Sequence, residues 1–299
     1  MDGELKVVIA VCTYKRPKML AECLKSLEGQ GAPIIVVDND PETHELPDLP
    51  ANAVLVHEPH RGIAMARNAA LKAAIERGYE WLAFIDDDGI ANQDWLSRLL
   101  DTRNLYSAQA VSGPQFYKYA DGVEKWRKRA RWDVPRFPEG FRRQIAGTCN
   151  LLLDLRFVQK LGLTFEESVG FDGGEDTLFT YQLSENGGKI VWTNRAIVTE
   201  TVPTERTTLK WYIKMSKHKG RHTIHSAKML NVDLKPLKAK AARRIMTGVG
   251  KFIIVPPAFL IGRGLRTLFS AIRNFSEGIG MIEGFYGVRS RHYETVTGE

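Results

Sequence analysis

Three consecutive carboxylates, Asp86, Asp87 and Asp88, follow the apolar run Trp81-Leu-Ala-Phe-Ile85. Acids this close repel one another unless a proton or a cation relieves them. A hard divalent ion does so, and oxygen ligands alone suit Mg2+ or Mn2+, commonly held by one or two carboxylates and completed by phosphate oxygens and water. Extended backbone alternates its side chains, so Asp86 and Asp88 are expected to face one way as metal ligands and Asp87 the other. The competing reading is that these acids solvate a turn and cap the next helix. A second acidic pair stands far downstream in Gly173-Gly-Glu175-Asp176, directly before Thr177-Leu-Phe179. Two glycines let a backbone pass close to a ligand, although acids at a helix start also serve as caps.

Donors and acceptors suited to a nucleotide lie after other apolar runs. Thr13, Tyr14 and Arg16 follow the first, Asp38, Asn39 and Asp40 the second, and Gly62 and Arg67 lie beyond the third. A carboxylate or amide so placed can hydrogen-bond the edge of a base, and a guanidinium pairs bidentately with phosphate oxygens. Asp-Asn-Asp is equally a turn former, and Arg67 equally a surface helix arginine.

The elements that carry these residues give them their meaning. Short β-branched runs at residues 5–12, 34–37, 53–56 and 81–85 alternate with helical patterns at 17–27, 63–76 and 95–105. That alternation predicts an α/β fold with a mostly parallel central sheet and helices on both faces, whose ligands bind at the carboxyl ends of the strands. Further on, 110–116 and 145–153 read as strands, 155–161 and 176–186 as helices, and 190–192 and 197–199 as short strands. The stretch 117–140, rich in Lys, Arg, Trp and Pro and containing Trp126 and Trp132, is expected to be a functional loop.

At 299 residues and 43% hydrophobic, the chain can bury a large core, which excludes a disordered class, and no linker or repeat divides it. The expected organisation is a catalytic domain over 1–225, with a donor half of about 1–116 and an acceptor half of about 117–225, followed by a helical extension over 226–299. Cys12, Cys23 and Cys149 are odd in number and far apart, which speaks against a disulfide framework or a zinc site and for a reducing cytosol. The start of the chain lacks the pattern of a secretory signal.

A net charge of +7 implies anionic partners without choosing among them. No nucleic-acid reading motif is present, so nucleic acid is not expected. Between Lys210 and Arg244 the single acid is Asp233, and none follows until Glu277. Phe252 to Ile261 is apolar but interrupted by Pro256 and Pro257 and too short to span a bilayer. Leu265, Leu268, Phe269, Ile272 and Phe275 recur at helical spacing among Arg263, Arg266 and Arg273. They read as a basic amphipathic helix on an anionic cytoplasmic membrane surface, or as a helix packed on the core.

Taken in order, Val7-Val-Ile-Ala-Val-Cys-Thr-Tyr-Lys-Arg-Pro17, Val36-Val-Asp-Asn-Asp40, Gly62 to Asn68, Phe84-Ile-Asp-Asp-Asp88 and Gly173-Gly-Glu-Asp176 resemble the inverting GT-A glycosyltransferases of family two. The resemblance runs from Val7 to about Arg221. Thr148-Cys-Asn150 and the segment from Glu200 to Arg206 are similar to bacterial enzymes that extend lipid-linked exopolysaccharide repeats, such as the succinoglycan glucosyltransferase.

What the resemblance implies is a GT-A fold, a nucleoside-diphosphate sugar donor, foremost a UDP-sugar, and nucleotide contacts from Thr13, Tyr14, Arg16, Asp38 and Arg67. Asn39, Asp40, Gly62, Asp86 and Asp87 are grouped with the donor. It also implies a metal on Asp86 and Asp88, and a catalytic base in the Glu-Asp pair. By position the base is Asp176 and Glu175 meets the acceptor, although the roles can be exchanged. Trp132, Asn150 and Arg206 are expected to join Glu175 around a lipid-linked saccharide acceptor. One of His218, His222 and His225, with His222 foremost, is expected to complete the metal shell or touch the diphosphate, against the alternative of a surface histidine.

The chain departs from the pattern in reading Asp38-Asn-Asp40 where many members have Asp-Asp-Gly, and it lacks the Gln-x-x-Arg-Trp of processive synthases, so single additions are expected. The rival readings are a nucleotidyltransferase and a catalytically inactive membrane-associated adaptor. Oligomeric state is left open.

Overall fold

A computed structural model describes residues 6–42, 45–119, 123, 137–168, 173–260 and 262–288. Strands β1 (Val7–Thr13), β2 (Ile34–Asp38), β3 (Ala53–His57) and β4 (Trp81–Asp86) are parallel and lie in the spatial order β3-β2-β1-β4. Alternation along β1 sends Val8 and Ala10 to one face of the sheet and Ile9 and Val11 to the other, so both faces must be covered. On the first face lie α2 (Ile63–Glu76), α4 (Leu155–Leu161) and α5 (Glu175–Glu185). Helices α1 (Pro17–Leu27) and α3 (Trp95–Tyr106) cover the second. Ala64, Ala66, Ala70, Ala73 and Ala74 are the buried small residues of α2, and they let its backbone lie close to the strands.

Register decides where the chemistry emerges. Thr13 pairs with Asp38 of β2, and Cys12 pairs with Asp86 of β4, so residues far apart in sequence leave the sheet side by side at its carboxyl edge. Beyond β4 the eight-stranded sheet continues through β9 (Asn150–Asp154), β6 (Ala110–Ser112), β10 (Ile190–Trp192) and β8 (Arg142–Arg143), of which β9 and β8 run antiparallel to their neighbours. A second sheet orders β5 (Gly89–Ala91), β11 (Val198–Val202) and β7 (Gln115–Tyr119) as β5-β11-β7.

Two sequence-based expectations are corrected. The stretch 110–116 is two strands in two sheets, because Gly113 and Pro114 break it where the backbone passes Ala196; a Cβ on Gly113 would stand 2.2 Å from the Ala196 carbonyl oxygen. Extended structure in 145–153 begins only at Asn150.

The C-terminal part is a bundle of α6 (Leu209–Met229), α7 (Lys235–Leu260) and α8 (Gly264–Phe285), and α6 runs across residue 225. Helices α6 and α8 lie parallel, since Tyr212 meets Phe269, Gly220 meets Glu277 and Ile224 meets Gly284. Helix α7 returns antiparallel, with Gly264 beside Phe259, Ser270 beside Lys251, and Gly278 beside Ile245. Glycines let these axes approach, as small-residue stripes do. The apolar stripe read at 265–275 is therefore divided: Phe269 and Ile272 pack with Tyr212, while Leu265 and Phe275 remain exposed.

The closest approach is testable. A Cβ on Gly280 would stand 2.0 Å from the Lys217 carbonyl oxygen. Gly280→Ala is expected to destabilise the protein by about 1–3 kcal/mol, read as a lower urea midpoint. An unchanged midpoint would show that the helices are free to separate there.

Candidate active site

Lys15 turns the chain after β1 with φ 52°, which brings Arg16 back over the end of β4. There Asp87 is buried, accepting from Thr13 Oγ1 at 2.9 Å and Arg16 Nη1 at 3.0 Å. Asp87 thus secures the end of β1 to β4. Asp88 Oδ2 stands 3.6 Å from Arg16 Nη1 and 3.5 Å from Arg206 Nη1, and Arg206 also reaches Glu200 Oε1 at 3.3 Å. Two guanidinium groups therefore balance a crowd of carboxylates. Asp86 is the most open of the triplet, with 40% of its side chain exposed. Burial of its surroundings pushes its pKa up to about 7; Arg67 opposes that shift, and Asp88 and Asp87 add to it.

The second acidic pair sits at the start of α5. Gly173 and Gly174 have φ of 76° and 105°, a left-handed turn that suits glycine, and the helix begins at Glu175 with no side-chain cap. The helix dipole favours both acids. Glu175 is only 2% exposed and is bonded through Oε1 to Arg67 Nη1. Burial raises its pKa against the pull of Arg67. Asp176 is half-buried; its Oδ1 accepts from the Thr177 amide at 2.6 Å and its Oδ2 lies beside Gly147.

Arg67 connects the two clusters. Its Nη2 is 3.5 Å from Asp86 Oδ1 while its Nη1 holds Glu175. Burial works against its charge, but Glu175 and Asp86 more than offset that cost and its pKa is raised.

One cavity of about 400 Å³ is lined by Thr13, Tyr14, Arg16, Asn39, Gly62, Arg67, Asp86, Asp87, Asp88, Glu175, Asp176 and Arg206. The triplet and the pair thus share a single space. Tyr14 edges it with the Arg61 guanidinium 4.3 Å from its ring centre. Asp86 and Asp88 offer the all-oxygen donors that Mg2+ or Mn2+ prefers. Among the described residues no group of three or more His, Cys, Asp or Glu side chains is arranged to hold a metal ion.

Several expected residues are placed differently. Asn39 lines the cavity, but its side chain holds backbone: Nδ2 donates to the carbonyls of Glu58 and His60, and Oδ1 accepts from the Gly62 amide at 2.7 Å. It fixes the entry to α2. Asp38 and Asp40 are buried behind it, receiving the amides of Asp40 and Glu42. Asn150, expected near the acceptor, is not among the residues that line the cavity. It is buried, with Nδ2 donating to the Pro114 and Ala196 carbonyls and Oδ1 accepting from Trp95 Nε1. His222 lies beside Gly174, where a Cβ would come within 2.9 Å of its Nε2; it is not a member of the Asp86–Asp88 cluster. Burial lowers its pKa, with Asp176 pulling the other way. Trp126 and Trp132 lie outside the described residues.

Glu200 was missed, and it lines the cavity beside Arg206. The signal was present in Val198-Thr-Glu-Thr-Val202, where an acid takes the inward position of a period-two strand. Cys12, Thr148 and Cys149, which lie within motifs read above, also line the cavity, as do Gln115, Trp211, Lys214 and Met215, which no local motif marks.

Comparison with known proteins adds the following. The family model for glycosyl transferase family 2 matches residues 8–154. Succinoglycan biosynthesis protein ExoM of Rhizobium meliloti (strain 1021) is 37% identical over 232 residues, covering 73% of this chain and 74% of ExoM. Among solved structures, GalNAc-T7 with UDP, GalNAc and Mn2+ superposes with a TM-score of 0.56 at 14% identity, covering 79% of this chain and 54% of that one. S. aureus TarS 1-349 in complex with UDP-GlcNAc superposes with a TM-score of 0.51 at 15% identity, covering 95% and 92%. At such identities these two bear on the fold alone.

Removing Arg67 would leave the Glu175 carboxylate buried without a cation. Arg67→Ala is expected to cost about 3–5 kcal/mol, measured by urea denaturation. Asn150→Ala is expected to cost about 1–3 kcal/mol in the same assay while leaving the KM for acceptor unchanged. A stable Asn150→Ala enzyme with a raised acceptor KM would return that residue to the binding site.

Proposed function

The chain belongs to glycosyl transferase family 2, and from that premise we propose that it transfers a single sugar, with inversion, from a UDP-sugar to a lipid-linked saccharide during exopolysaccharide synthesis. The observation that carries this reading is the meeting of Asp86–Asp88 and Glu175–Asp176 in one cavity, joined through Arg67. The fold shared with UDP complexes of GalNAc-T7 and TarS supports the choice of donor, and the likeness to a succinoglycan biosynthesis protein supports the choice of acceptor.

An acceptor hydroxyl attacks an anomeric carbon poorly at neutral pH unless a positioned carboxylate takes its proton. Asp176 suits that role better than Glu175. It is half-buried and open to the cavity, whereas Glu175 is enclosed and neutralised by Arg67. Glu175 in turn orients Arg67, whose positive charge, with those of Arg16 and Arg206, lies where negative charge collects on a departing diphosphate. Mg2+ or Mn2+ held by Asp86 and Asp88 would supply further stabilisation of that leaving group. Thr13 and Arg16, fixed by Asp87, and Gly62, fixed by Asn39, form the donor-side wall.

Cys12 also borders the cavity, but burial pushes its thiol up to about 12, and Cys149 is likewise raised well above the usual thiol range. Neutral thiols are poor nucleophiles, which speaks against a sugar adduct on either cysteine. We place the lipid-linked acceptor, and with it the enzyme, at the cytoplasmic membrane surface.

Asp176→Asn is expected to lower kcat by about 10²–10⁴-fold while leaving UDP-sugar affinity within a factor of about two. Near-normal turnover would remove Asp176 as the base. EDTA is expected to abolish transfer and added Mn2+ or Mg2+ to restore it; transfer indifferent to chelation would remove the metal. The nucleotide product is expected to be UDP, and release of pyrophosphate would mark a nucleotidyltransferase.

A further inference from the structure

The C-terminal bundle carries a feature that glycosyl transfer does not use. At its base, α7 is packed against α8 through Ala241 and Gly248, and towards its end contact with α8 continues through Lys251 on Ser270, Phe252 on Phe275 and Phe259 on Gly264. Phe252, Ile253, Ile254, Pro256, Pro257, Phe259 and Leu260 are all exposed, Ile253 at 72% and Leu260 at 88%. Lys251, Val255 and Ala258, spaced four and three apart, form the partly covered face, so the rest of this end presents an apolar outer surface at the tip of the bundle. Leu265, at the start of α8, extends it. Contiguous apolar exposure of this kind marks a docking surface.

Charge identifies the occupant. No Asp or Glu occurs between Asp233 and Glu277, whereas Lys251, Arg263 and Arg266 flank the tip. The Glu277 and Glu283 carboxylates, which bond Arg244, Lys217 and Arg221, lie towards the other end of the bundle. An apolar tip in a basic collar matches the acyl boundary beneath anionic headgroups. A second copy fits poorly, because two-fold pairing would set the same cations against themselves.

Depth is limited by the prolines. Pro256 and Pro257 have no N–H to give to the carbonyls of Phe252 and Ile253, which therefore need donors from water or headgroups. No helix among the described residues is long and apolar enough to cross a membrane. We propose that the α7–α8 tip is an interfacial insertion element that seats the enzyme on an anionic bilayer.

The placement of the tip relates it to the cavity. Since α6 and α8 run parallel with Tyr212 against Phe269, the tip extends from the end of the bundle where Trp211, Lys214 and Met215 of α6 line the cavity. Gly264 precedes Phe269 by five residues, about 8 Å of helical rise. Bound lipid would thus lie on the side of the bundle where an acceptor saccharide must enter. Only this orientation rests on the glycosyltransferase reading; the insertion itself stands on the tip.

The test is flotation of the full chain with phosphatidylcholine vesicles, with and without phosphatidylglycerol. A combined Ile253→Glu, Ile254→Glu and Leu260→Glu variant changes side chains that are already exposed, so its fold is expected to be retained. The wild type is expected to float with the anionic vesicles, and the variant to bind them about tenfold or more weakly. UDP release from donor in detergent is expected to be equal for both proteins. Equal flotation of the two proteins would overturn the proposal. So would a wild-type dimer in light scattering that the variant loses while neither binds vesicles. Flotation without UDP release would instead refute the glycosyltransferase reading and leave the insertion element standing.

Discussion

Arg67 reaches from α2 to the first residue of α5 with one nitrogen and towards the end of β4 with the other, so a single guanidinium sets the spacing of two acidic clusters. Each cluster alone would be unfavourable. Desolvation raises Asp86 and Glu175 towards their protonated forms, and a neutral acid neither binds a cation well nor balances an arginine. The guanidinium opposes both shifts. Its own burial is tolerable because it faces two carboxylates, so the three groups are stable only together. The sheet makes that possible by ending β1 and β4 in register, and the alanines of α2 by lowering the helix onto the strands.

The same logic distributes the remaining charges. Three adjacent carboxylates repel one another without cations between them, and although all three border the cavity the chain gives each a different environment. Asp87 turns inward to Thr13 and Arg16, Asp88 is balanced between Arg16 and Arg206, and Asp86 stays the most open. Alternation along an extended strand anticipates the first division but not the second, which depends on Arg206 arriving from a segment more than a hundred residues away. The acidic pair is divided likewise, Glu175 enclosed and Asp176 open, by the helical turn that begins directly after two left-handed glycines.

Legibility in the sequence follows from how local each determinant is. Helix α1, with Pro17 in its first turn, and helix α2, stopped before Gly78, have both ends as read, because capping and periodicity are local properties. The strand ends that carry Asp86 and Thr13 were legible for the same reason. Failures arise where tertiary contacts decide. The break at Gly113 exists because another backbone, at Ala196, passes against it. Asn150, read through a motif, is claimed by three partners from distant parts of the chain. His222 sits on α6, whose position depends on packing with α8, and that places it by Gly174 and away from the acidic triplet. The stripe at 265–275 has true amphipathic periodicity, yet periodicity gives only which residues share a face, not whether another helix already covers it.

Helix α6 belongs to both parts of the molecule, and this constrains how they can move. Its first turns supply Trp211, Lys214 and Met215 to the cavity, while Gly220 admits the α8 backbone to a separation that no side chain would allow. Contacts that close leave little room for sliding, and the ion pairs of Glu283 with Lys217 and Arg221 fix the register along the axis. A displacement of α8 therefore carries α6 with it. The wall of the cavity and the direction of the apolar tip are thus set by one helix and one row of glycines.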